Sequence, residues 1–80
     1  MAQLPNLSGK EVVKAFENLG WEFSRQSGSH MVMTKDGEMA SLSVPNHKPV
    51  AKGTLRSLIR SANLTIDEFL KRFREVFLRE

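Results

Sequence analysis

Residues 31–44, Met-Val-Met-Thr-Lys-Asp-Gly-Glu-Met-Ala-Ser-Leu-Ser-Val, decide the fold of this chain. Met31 to Thr34 and Ala40 to Val44 read as two short strands, and Lys35-Asp36-Gly37-Glu38 joins them. The Asp-Gly pair supplies the positive φ that a tight hairpin needs, so the spacing predicts antiparallel pairing across a two-residue loop. Asp36 is thereby accounted for as a turn residue. Just upstream, Trp21 to Arg25 alternates apolar and polar and predicts a third strand. Strand periodicity leaves two arrangements open: either Met31 and Met33 face the core, or His30, Val32 and Thr34 do.

Helices flank these strands. Ser8 with Glu11 forms a capping box, and Leu7 can staple onto Val12, so a helix is predicted from about residue 9. Val12, Phe16 and Leu19, with Val13 and Ala15 alongside, give it a core-facing stripe that Gly20 terminates. Pro45 ends the last strand and opens a linker from Asn46 to Ala51. A second helix follows from Lys52 to Ala62, with Leu55, Leu58, Ile59 and Ala62 on one face and Asn63 as its C-terminal cap. Thr65 with Glu68 starts a third, whose inner stripe is Ile66, Phe69, Leu70, Phe73 and Phe77. The order α-β-β-β-α-α predicts an α+β fold, a three-stranded antiparallel sheet with helices on one face. Eighty residues are expected to form a single domain spanning 1–80.

Composition narrows the chemistry. Twelve Lys and Arg stand against nine Asp and Glu, a net charge of +3. Residues 48–80 hold eight of the basic and four of the acidic side chains, so the C-terminal part carries the positive field. Such a surface suits nucleic acid or an acidic protein. The absence of cysteine removes disulfides, thiolate catalysis and zinc fingers. No metal and no cofactor is implied. Met1 to Pro5 lacks the charged and apolar regions of a secretion signal, and no segment approaches a membrane span, so a cytoplasmic protein is expected.

Arg25-Gln26-Ser27-Gly28-Ser29-His30 sets a histidine directly behind a Gly-Ser turn, at the mouth of a predicted strand. Histidine gives and takes protons near neutrality. Cleaving RNA needs a base for the 2′-hydroxyl proton and an acid for the departing 5′-oxygen, and neither role requires a metal. Gly28 permits a tight turn, and amides around Ser29 can donate to a phosphate oxygen. His47, beside Lys48, is the candidate for a second proton-transfer group, although a linker histidine can equally be plain surface. Lys52, Arg56 and Arg60 recur at i, i+4 and i+8, forming one stripe that Lys48 extends, and residues 48–60 contain no acid. That pattern suits RNA phosphates. Trp21 and the five phenylalanines, Phe23 included, fall at core positions, which argues against an RNA binder that stacks bases on exposed strand aromatics.

Together these blocks resemble the HicA family of bacterial toxins. The likeness runs through Leu7-Ser8-Gly9-Lys10-Glu11-Val12-Val13, Gly20-Trp21, Arg25 to His30 and Val44-Pro45-Asn46-His47. It continues in Gly53-Thr54-Leu55-Arg56-Ser57-Leu58-Ile59-Arg60 and Leu64-Thr65-Ile66-Asp67-Glu68-Phe69. Two positions depart from the family pattern: Met31 stands where many members carry another histidine, and Lys52 where many carry proline. The resemblance implies a fold like that of double-stranded-RNA-binding domains and an mRNA endonuclease with His30 as its catalytic histidine. It also implies a HicB-like antitoxin as inhibitory partner. An acidic surface of that partner is expected over Lys52, Arg56, Arg60 and His30, with Met31, Met33 or Phe77 and Leu78 as apolar anchor. Two alternatives use the same fold without catalysis, an RNA-binding module and a protein-interaction module.

Overall fold

The computed structural model describes residues 3–77. Helix α1 (Gly9–Glu17) is followed by strands β1 (Glu22–Ser27), β2 (His30–Thr34) and β3 (Leu42–Pro45), then helices α2 (Lys52–Ser61) and α3 (Ile66–Phe77). The sheet order is β1-β2-β3, antiparallel throughout. This is the arrangement of double-stranded-RNA-binding domains, with α3 added at its end. Among the described residues no helix is long and apolar enough to cross a membrane.

Local signals act where the residue pattern places them. Ser8 accepts from the Glu11 N–H at 3.2 Å while Glu11 accepts from the Ser8 N–H at 2.9 Å. Thr65 and Glu68 repeat the reciprocal pair at 3.1 and 2.8 Å. Asn63 closes α2 one position beyond its cap, in the left-handed region at φ 60°, with its N–H on the Arg60 carbonyl and that of Leu64 on Ile59. This is the paired bonding that satisfies the last carbonyls of a helix.

The hairpins differ from the sequence expectation. The Asp36-Gly37 turn forms, with Gly37 at φ 86° and the Glu38 N–H on the Lys35 carbonyl at 3.0 Å, but β3 begins only at Leu42. Met33 pairs with Leu42 and Met31 with Val44. A two-residue loop would instead set Met33 against Ala40 and leave Val44 without a strand partner, so core filling overrides the turn signal. The two-residue connection lies at Gly28-Ser29, where Ser27 pairs directly with His30. Consequently β1 extends to Ser27 rather than stopping at Arg25.

Burial settles the facing of β2. Met31 and Met33 lie in one core with Leu42, Val44, Leu55, Ile59, Phe16 and Phe69. His30, Val32 and Thr34 therefore occupy the opposite face, where His30 and Thr34 are exposed and Val32, on the central strand, is covered by its neighbours. The two methionines are thus unavailable as an anchor for a partner. Phe77 is only partly buried, packed against the core, and Leu78 lies outside the described residues. Phe23 does not join the core: it pairs with Met33, but it lies on the edge strand β1, whose residues are all exposed, and is itself 46% exposed. Helix α3 closes the core through Phe69, whose ring stands 5.3 Å from that of Phe16.

Candidate functional site

His30 opens β2, and its backbone is held from both sides, by Ser27 on β1 and Pro45 on β3. Gly28 enters the connection at φ 59°, a conformation that costs a side-chain-bearing residue about 1 kcal/mol or more. A Cβ there would meet nothing within 4 Å, so the need for glycine is conformational rather than steric. The Asn46 N–H donates to the Ser29 carbonyl at 2.7 Å and ties this turn to the end of β3. His30 is accordingly a strand residue on a rigid frame. Its imidazole is exposed on the open face of the sheet.

Two neighbours share that face. Ser27 lies directly across from His30, and Arg25, opposite Val32, lies on the diagonal. Direct and diagonal neighbours of this kind are separated by roughly 5 and 7–8 Å respectively. Arg25 thus shares the sheet face of His30, and it forms no ion pair among the described residues. Nothing in the residue pattern alone marks Arg25 for this role. Its placement follows only once Ser27 and His30 are opposed, because β1 is irregular between Phe23 and Arg25 and simple alternation fails there.

Gly9 is the other position the residue pattern does not reveal. A Cβ on it would run into the Pro45 carbonyl and come within 3.0 Å of Asn46 Cα and Met31 Cε. Glycine is therefore required for α1 to dock on the end of β3, and the Gly9 N–H donates to the His47 carbonyl at 2.8 Å. A glycine at the first helical position, where helix propensity disfavours it, is the signal that could have found this role. The same bond orders the 46–51 linker, as does that from the Val50 N–H to the Leu7 carbonyl at 2.7 Å. His47 and Lys48 are exposed on that pinned segment.

Lys52, Arg56 and Arg60 are all exposed along α2. The helix has Ala51 as its N-cap, no side-chain cap bond and no acid in its first turn. Its open N–H groups add partial positive charge at the Lys52 end. The stripe and His30 are not brought onto one face: α2 packs on the helix side of the sheet, whereas His30 projects from the other. The pinned linker carrying Asn46, His47 and Lys48 joins the two at the end of the sheet.

Comparison with known proteins matches residues 9–64 to the family described as the HicA toxin of bacterial toxin–antitoxin systems. None of the curated proteins matches the chain. Among solved structures, a chain of a toxin–antitoxin complex from Streptococcus pneumoniae is 34% identical, with a TM-score of 0.65. The match covers 72% of this chain and 98% of that one. On a family match across most of its length and a structural likeness at this identity, the chain belongs to the HicA toxin family of bacterial toxin–antitoxin systems.

Proposed function

We propose that the protein is the toxin of such a pair, an endoribonuclease that cleaves mRNA in the cytoplasm without metal or cofactor, its residues 1–80 acting as one domain. The observation that carries this reading is the fixed, outward His30 flanked on its own face by Ser27 and Arg25. In the proposed reaction a base takes the proton of a ribose 2′-hydroxyl, the oxygen attacks the adjacent phosphorus, and the P–O5′ bond breaks. An acid protonates the departing 5′-oxygen, leaving a 2′,3′-cyclic phosphate and a 5′-hydroxyl. His30 serves one of these roles and His47 is the candidate for the other.

Charge supplies the binding. In this reading Lys48, Lys52, Arg56 and Arg60 hold the RNA backbone, and the amides of the Gly28-Ser29 turn donate to the phosphate near His30. Arg25 is placed to stabilise the charge that develops on the phosphoryl oxygens. A toxin of this kind requires restraint, and the kinship with a toxin–antitoxin complex supports a HicB-like antitoxin as the inhibitory partner. The experiment is direct: purified protein is incubated with RNA in EDTA beside His30→Ala at equal folded concentration. Cleavage by the first and not the second is expected; equal cleavage by both would remove His30 from the reaction.

A further inference from the structure

An open groove of about 320 Å³ lies between the first turn of α1 and the end of β3, lined by Ser8, Lys10, Asn46, His47 and Lys48. Its lining thus comprises two lysines, a histidine, an asparagine and a serine, and no acid. Glu11, the acid of that helical turn, is folded back on the Ser8 N–H. We propose that this groove is a phosphate subsite for the RNA strand, with Lys10 as a binding residue in addition to those already assigned. The inference rests on the ribonuclease reading and deepens it.

Pro45 pairs with His30, Asn46 bonds to Ser29, and Ala51 caps the basic helix, so the segment lining the groove runs between the imidazole and the Lys52–Arg60 stripe. Those two elements lie on different layers of the fold. A strand of RNA that engages both must round the end of the sheet, and the groove is the cationic surface there. The groove is also rigid. The Gly9–His47 bond of 2.8 Å, the Asn46–Ser29 bond of 2.7 Å and the close seat of Gly9 on Pro45 fix the walls, so little order is lost when a ligand enters.

The donors are side chains rather than the helix end. The Ser8, Gly9 and Glu11 N–H groups already bond to Glu11, His47 and Ser8 respectively. Lys10 and Lys48 act as point charges with rotatable donors, which suits an oxyanion approached from several directions. An acidic protein segment would also meet these charges, but tight protein docking needs a buried apolar anchor, and the groove offers none.

The test uses the full chain and an RNA heptamer whose riboses are 2′-O-methylated, so that no attacking hydroxyl is present. Amide resonances of Lys10, Asn46, His47 and Lys48 are expected to shift on titration. Lys10→Gln should weaken binding about fourfold at 0.15 M salt and lower the log–log salt slope by about 0.7, the value for one lost single-strand phosphate contact. Lys71→Gln, an equal change in net charge at an exposed position of α3, should leave both unchanged. If Lys10→Gln binds like the parent while loss of the α2 stripe weakens binding, the groove proposal fails and the ribonuclease reading stands. If the parent neither binds nor cleaves RNA, both fail. Preferential binding of a poly-glutamate peptide at these four amides would overturn the groove's assignment to RNA.

Discussion

Replacing Lys52, Arg56 and Arg60 together by glutamine is the perturbation that best separates electrostatic RNA binding from everything else this surface does. The three side chains are exposed and spaced four residues apart on α2, so they extend over roughly 12 Å of helix axis. None forms an ion pair among the described residues, where Arg72 and Glu75 make the one bridge at 3.6 Å. Their loss should therefore cost little stability. Arg60 sits in the last turn of α2, where a cation is worth about 0.3–1 kcal/mol against the helix dipole, and that is the extent of the expected destabilisation. RNA affinity responds differently. Each phosphate contact to a single strand contributes about 0.7 to the log–log salt slope, so three contacts remove about 2 from it. At 0.15 M salt that corresponds to about fourfold per contact and about 50-fold together, if the three act independently. Fluorescence anisotropy of a labelled RNA between 0.05 and about 0.3 M salt measures both quantities, and thermal melts check the fold. A slope that stays at the parent value would show the stripe to be solvated surface and refute the phosphate-contact reasoning, whatever happens to cleavage.

Three further outcomes are expected. His30→Ala should lose about 10²–10⁴-fold in cleavage rate at saturating RNA while its melting temperature stays close to the parent's, because the side chain is exposed; a matching loss in stability would mean the imidazole supports the fold instead. Gly9→Ala should be destabilised in urea titrations: alanine favours the helix by about 1 kcal/mol, but its Cβ meets the Pro45 carbonyl, and overpacking against fixed backbone costs about 1–3 kcal/mol. A more stable variant would show that α1 can slide on β3. A chain ending at Leu64 should fail to fold by circular dichroism. It loses the burial of Phe69, Leu70 and Phe73, worth about 1.5–3 kcal/mol each, against a total near 4–12 kcal/mol for a chain of this size; a cooperative melt would contradict this.

Much of this protein is legible in its residues because the signals are local. The capping boxes at Ser8 and Thr65, the left-handed Asn63 and the apolar stripes of the three helices each depend on neighbours within about four positions, and each appears as its pattern predicts. The Gly28-Ser29-His30 turn is likewise readable, as is the basic stripe, which needs only the helical period. The departures come where long-range packing competes with a local preference. Asp36-Gly37 makes its turn, but the core selects the register of β3.

Sequence alone thus determined the order of elements, the α+β class and the identity of the residues that carry charge and the imidazole. Tertiary structure decided which way they face. Alternation permits either surface of β2 to be inward, and only the docking of α1, α2 and α3 over Met31 and Met33 turns His30 outward. It also placed Arg25 on the His30 face through an irregularity in β1, set Gly9 against Pro45, and brought Lys10 to the groove beside His47 and Lys48. These facts join residues far apart in the chain. Pairing and packing energies sum over such contacts, so no window of neighbouring residues contains them.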